Sequence, residues 1–242
     1  MKIFITGTSS GIGLGLAKLL SDEGHEVWGV ARREMKSVKY RYSVCDITDH
    51  AQVSKVMAEM EEAKFLPDVV VLGSAILPKD LEGSFDYEKS AQGFATNYDG
   101  ALIWVSKLLP KFLERKSGKF IAVSSTSAKR PDIKSVGLPA SKAALSMAFR
   151  SLRLRYRPDN IKFSTVFFGP VATPVIPEFT TKDGGKKFFF VLSAAKAAKL
   201  LKKAIFGNRD KYYFPFLFTC IFRLTLWIPD RIYSKISSKL KS

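Results

Sequence analysis

Cysteine is scarce in this sequence. Cys45 and Cys220 are the two that occur among 242 residues. They lie far apart and show no metal-ligand spacing, which excludes a disulfide framework and fits a reducing cytosol. Acidic side chains are also few: 22 Asp and Glu stand against 39 Lys and Arg, a formal net charge of +17. Repeats and low-complexity linkers are absent, so nothing marks a second domain. No apolar run reaches the ~20 residues that a membrane-spanning helix needs. A secretory signal is not expected, because residues 1–6 are a short apolar strand that runs straight into a glycine turn.

What is present suits one α/β domain. Hydrophobic residues make up 46% of the chain and charged residues 25%, which supports a large core and argues against extended disorder. The basic excess sits in the second half. Residues 107–162 carry 14 basic and 3 acidic side chains, and residues 202–242 carry 9 and 2. Such an imbalance favours anions: nucleotide phosphates, nucleic acid or an anionic membrane.

Apolar runs alternate with amphipathic stretches. The pattern predicts strands at residues 2–6, 25–31, 40–44, 68–72, 118–124 and 161–167. It predicts helices at 12–23, 50–64, 94–115, 141–156 and 193–205. Val69, Val70 and Val71 read as a strand covered on both faces. Strands alternating with helices indicate a doubly wound parallel sheet flanked by helices.

Thr6-Gly7-Thr8-Ser9-Ser10-Gly11-Ile12-Gly13 follows the first strand and opens the first helix. Glycine suits a turn where a side chain would block a pyrophosphate. The helix start offers unpaired N–H groups and positive dipole to phosphate, and Ser9 and Ser10 add hydroxyl donors. An ordinary strand-to-helix turn can look alike, but the strand and helix on either side favour a dinucleotide site. The second strand ends Val30-Ala31-Arg32-Arg33. An NAD site has a carboxylate there; two arginines suit the 2′-phosphate of NADP(H) instead.

These residues resemble the short-chain dehydrogenase/reductase family, over most of the chain to about Thr173. Gly7, Gly11 and Gly13 match its Thr-Gly-x-x-x-Gly-x-Gly motif. The resemblance implies a Rossmann-like fold, an NADP(H)-binding site that includes Ile12 and Ser74, and five residue roles. Asp46 would bond the adenine amine, and Asn97 would support a proton-relay water. Ser125 would polarise the substrate oxygen, and Lys142 would hold the ribose. Thr173 would reach the nicotinamide amide.

Two departures stand out. Leu72-Gly73-Ser74-Ala75 replaces the family's Asn-Asn-Ala-Gly, although Gly73 and Ser74 remain small. Leu138 occupies the place of the tyrosine in Tyr-x-x-x-Lys, and no tyrosine occurs between Ser125 and Lys142. Leucine has no proton to give, and losing a positioned acid typically costs a factor of ~10²–10⁴. Three readings stay open. Another group donates, whether Lys142, Ser125, Tyr98 or a water on Asn97; or the chemistry needs no such acid; or the chain binds nucleotide without turnover.

Past residue 207 the composition shifts. Residues 208–242 form an apolar and basic C-terminal segment set against an NADP-binding domain at 1–207, which carries the substrate pocket and a polar lid at residues 180–187. Residues 212–228 contain one charge, Arg223, and are flanked by Arg209, Lys211, Arg231, Lys235, Lys239 and Lys241. Aromatics with flanking cations suit a segment lying in a membrane surface; packing against the substrate pocket and a homo-oligomer interface are the other readings.

The expectation from sequence is therefore an NADP(H)-dependent oxidoreductase acting on a carbonyl or alcohol of a hydrophobic or lipid substrate. A catalytically degenerate NADP-binding sensor or scaffold is the alternative. Ser125, Lys142 and Asn97 are the catalytic candidates. Gly7, Ser9, Ser10, Gly11, Ile12, Gly13, Arg32, Arg33, Asp46, Ser74, Asn97, Lys142 and Thr173 are the cofactor candidates. No metal is expected, and no nucleic-acid partner, since the basic half carries no recognised binding motif. A cytoplasmic homo-oligomer touching the inner face of a membrane completes the expectation.

Overall fold

The computed structural model describes residues 1–78, 80, 84–132, 135–174 and 191–234. The expected lid at 180–187 lies outside these, as do Lys235, Lys239 and Lys241. In chain order the elements are β1 (Lys2–Thr6), α1 (Gly11–Asp22), β2 (Glu26–Ala31), β3 (Arg41–Val44), α2 (His50–Glu62), β4 (Val69–Leu72) and α3 (Tyr87–Phe94). A π-helical turn (Ala95–Asp99) leads into α4 (Gly100–Arg115), then β5 (Gly118–Ser125), a 3-10 turn (Thr126–Lys129), α5 (Gly137–Tyr156) and β6 (Ile161–Phe168). The chain continues with β7 (Val171–Ala172), β8 (Leu192–Ser193), α6 (Ala194–Phe206), β9 (Lys211–Phe214) and α7 (Phe216–Thr225).

Seven of these strands make one sheet in the order β3-β2-β1-β4-β5-β6-β9, parallel throughout. β4 is buried along its whole length, because helices cover both faces of the sheet. On one face α2, α4 and α5 contribute Val53, Met60, Trp104, Phe112, Leu145 and Phe149 to the core. On the other, α1 and α6 contribute Leu16, Leu20, Ala197 and Leu201. Each fully buried leucine, valine, methionine or phenylalanine among them stabilises the fold by roughly 1.5–3 kcal/mol. The strand order reverses between β1 and β4, so a crevice opens there at the carboxyl ends of the strands.

Three elements differ from the sequence reading. The helix expected at 94–115 starts seven residues earlier, at Tyr87, where the Asp86 side chain accepts the Lys89 N–H as a cap. Helix α5 starts at Gly137 rather than 141. Its Pro139 sits in the first turn, where a backbone N–H has no helical partner to lose. The segment starting at 208 is not all exposed: Lys211–Phe214 pairs with β6 as the seventh strand. The apolar helix therefore begins only at Phe216.

Candidate active site

The glycine turn is built by backbone constraint. Gly7 and Gly11 hold φ of +82° and +58°, a region that side chains disfavour. A Cβ at Gly13 would run into the Gly7 carbonyl oxygen, so the start of α1 packs directly on the turn. Hydrogen bonds tie the turn to its neighbours. The Gly7 N–H donates to the Val30 carbonyl at 2.8 Å, at the end of β2. The Thr6 hydroxyl oxygen accepts the N–H groups of Gly73 and Ser74 at 3.0 and 3.1 Å, just past β4. Thr6 thereby locks together the two loops that flank the switch point. Sequence reading missed this role, although its place directly before Gly7 was visible.

A cavity of about 510 Å³ lies above this turn. Every expected site residue except Asn97 lines it. Arg32 and Arg33 form one end, and the Arg33 guanidinium donates to the Ser10 hydroxyl at 3.3 Å. Asp46 is held by its neighbour Thr48, whose N–H and hydroxyl donate to Oδ1 at 3.0 and 2.8 Å. Thr173 lies over Gly11, with its Cγ2 only 3.2 Å from where a Gly11 Cβ would stand.

At the other end Ser125, Leu138 and Lys142 share the wall. The Ser125 hydroxyl oxygen accepts from the Ser127 N–H at 3.2 Å and from the Ser127 hydroxyl at 2.9 Å. Both bonds are accepted, so the Ser125 proton is left to donate. The Lys142 ammonium donates to the Val123 carbonyl at 2.9 Å, and burial pulls its pKa down to about 8. Cys45 also lines the cavity. Burial, with Asp46, Asp49 and Glu59 nearby, pushes its thiol up to about 12, so it is uncharged wall rather than nucleophile.

Asn97 stands apart from the lining residues. It sits on the π-helical turn and is 1% exposed. Its amide nitrogen donates to the Ile76 carbonyl and the Ser141 hydroxyl, both at 3.1 Å, and its oxygen accepts the Ile76 N–H at 2.9 Å. Both amide hydrogens are spent on protein, so Asn97 braces the cavity wall at Ile76 and does not form it.

The turn fits a dinucleotide on its own geometry: Gly7 and Gly11 take positive φ, and Gly13 leaves no room for a Cβ against the Gly7 carbonyl oxygen. A family model described as short chain dehydrogenase matches residues 1–184. The chain belongs to that family. Short-chain dehydrogenases are oxidoreductases that use a nicotinamide dinucleotide. An uncharacterized oxidoreductase of Myxococcus xanthus is 25% identical over 98% of this chain and 96% of its own. A fatty acyl-CoA reductase of Acinetobacter baylyi is 30% identical over 83% of this chain and 71% of its own. A short chain dehydrogenase from Burkholderia cenocepacia, solved in complex with NADP, superposes with a TM-score of 0.80 at 20% identity, over 97% of this chain and 96% of that one. That last likeness speaks for the fold of this short-chain dehydrogenase.

Proposed function

We propose that this short-chain dehydrogenase is an NADP(H)-dependent oxidoreductase acting on a carbonyl or alcohol of a hydrophobic substrate. One observation carries the reading: the glycine turn, the Arg32–Arg33 pair, Ser125 and Lys142 converge on a single cavity. Gly7, Ser9, Ser10, Gly11, Ile12 and Gly13 would hold the diphosphate at the start of α1. Arg32 and Arg33 would grip the 2′-phosphate. Asp46 would take the adenine amine; Ser74, Lys142 and Thr173 would take the nicotinamide half. When bound, the dinucleotide supplies hydride to a carbon held beside Ser125.

The chain's own groups do the rest. Ser125 orients the substrate oxygen with the proton that Ser127 leaves free. Lys142 carries a proton that it can release near neutrality, since its pKa lies at about 8. Asn97 positions Ile76 and, through Ser141, the first turn of α5. A hydrophobic substrate suits the apolar wall that Leu138, Ile76 and Phe168 provide, and it fits the relative named as a fatty acyl-CoA reductase. Peripheral membrane contact, homo-oligomerisation and a cytoplasmic location belong to the same reading. Among the described residues no helix is long and apolar enough to cross a membrane.

Oxidation of NADPH in the presence of a panel of hydrophobic ketones and aldehydes tests this reading. Turnover supports it. Tight NADPH binding without turnover supports the second reading, a nucleotide-binding sensor or scaffold, which Leu138 favours.

A further inference from the structure

Helix α7 carries large apolar side chains on its outward face as well as its inward one. Its Thr219 is 1% exposed, whereas Leu224 is 70% exposed. Phe216, Leu217, Ile221, Leu224 and, just past the helix, Trp227 face solvent at helical spacing. The buried hydroxyl of Thr219 is satisfied within the helix, donating to the Phe216 carbonyl at 2.8 Å. Phe218, stacked on Phe222, occupies the inward side, so a helix that rolled to bury the leucines would expose these rings. This one is held at both ends. Before it, β9 is paired into the sheet. After it, the buried Arg130 donates to the Ile228 carbonyl at 2.8 Å and to Asp230 at 3.1 Å, and its guanidinium lies 4.0 Å from the Tyr233 ring. On the inner side the Phe218 ring packs on Gly169, which lines the cavity.

Cations surround this helix. Arg223 projects from α7 over the Tyr213 ring. The Lys129 ammonium lies 5.0 Å from the Phe167 ring, which stacks on that same Tyr213, and the exposed Lys211 opens the neighbouring strand β9, so cations cluster beside the helix. The nearby acids are already engaged: Asp210 pairs with Arg153 and Asp230 with Arg130.

We propose that the outward face of α7 docks on an anionic lipid surface. Apolar side chains enter the headgroup boundary, Trp227 sits at the interface, and the cations meet lipid phosphates and carboxylates. A second copy fits worse. A twofold contact lays the same patch on itself, which would oppose this cationic cluster to its own copy. Docking brings the Gly169 side of the cavity toward the bilayer, and that route for substrate rests on the hydrophobic-substrate reading above.

The full chain is tested against vesicles of phosphatidylserine and phosphatidylcholine in equal parts, and of phosphatidylcholine alone. Co-sedimentation is the first readout. Tryptophan emission is the second, since Trp28 and Trp104 are buried and Trp227 is 88% exposed. The expected result is a blue shift and binding to the mixed vesicles that is at least about tenfold stronger than to phosphatidylcholine alone. Ile221→Ser with Leu224→Ser should weaken it at least about tenfold. Arg223→Gln with Lys211→Gln should cut the preference for phosphatidylserine by about tenfold or more. Failure to bind either vesicle overturns the proposal. So does a vesicle-indifferent dimer that the serine variant converts to monomer in the ultracentrifuge. NADPH calorimetry on the same samples separates the two readings. Vesicle binding lost with NADPH binding intact refutes docking alone, and the reverse refutes the reductase reading alone.

Discussion

Leu138 and Lys142 stand one helical turn apart at the start of α5 and line the same cavity. Ser141, between them, turns away and meets Asn97 instead. Leucine thus occupies a position from which a side chain reaches both the cavity and the lysine.

That relationship makes Leu138→Tyr informative. A phenol there would have Lys142 beside it to favour its ionised form. If only the acid is missing, turnover of NADPH with a ketone should rise by roughly 10²–10⁴. Steady-state kinetics read the change. No gain in rate, with NADPH affinity retained, would favour the sensor reading.

The sequence disclosed most of this fold because a parallel sheet hides its strands under helices and leaves continuous runs such as Val69–Leu72. The glycine turn was equally open to reading, since Gly7 and Gly11 take positive φ and a Cβ at Gly13 would strike the Gly7 carbonyl oxygen. Two things stayed hidden for physical reasons. Tyr212, Tyr213 and Phe214 read as part of one apolar run, because nothing local says that three aromatics will pair with β6 while the next ten residues turn helical. Asn97 kept its place in the pattern, but the partners that consume its amide, Ile76 and Ser141, are 21 and 44 residues away.

Gly13→Ala should weaken NADPH binding by roughly tenfold or more, about 1.4 kcal/mol. The added methyl meets the Gly7 carbonyl oxygen, a backbone atom, so the turn itself must move. Calorimetric titration checks it; unchanged affinity with an intact fold would separate the turn from the dinucleotide.

Arg32→Ala with Arg33→Ala should act on one coenzyme alone. A hydrogen bond to a charged group contributes about 1.5–3 kcal/mol. NADPH affinity should therefore fall by roughly ten- to a hundredfold while NADH affinity holds. Parallel titrations decide it, and an equal loss for both coenzymes would show that the arginines do not read the 2′-phosphate.

Two buried lysines should respond in opposite ways to replacement by methionine. Burial pulls both Lys142 and Lys119 from 10.5 to about 8. With a folded pKa below the unfolded one, the unfolded chain binds more protons between about pH 8 and 10.5, so stability climbs with pH across that window. Below it the folded state carries the full cost of the buried ammonium, for Lys142 on the order of 3 kcal/mol. Lys142 has one carbonyl partner, on Val123. Lys142→Met should therefore raise stability at neutral pH and flatten the alkaline slope, even as it weakens NADPH binding. The Lys119 ammonium instead closes the end of α6, donating to the carbonyls of Ala204, Ile205 and Gly207 at 2.5, 3.1 and 2.5 Å. Lys119→Met strands the buried carbonyls of Ala204 and Ile205, and each left unpaired costs about 1–3 kcal/mol. Loss of that cap outweighs the relief of desolvation, so this variant should lose stability. Urea denaturation at neutral and alkaline pH measures both, and a Lys119→Met variant that keeps or gains stability would show that the helix end does not depend on its lysine.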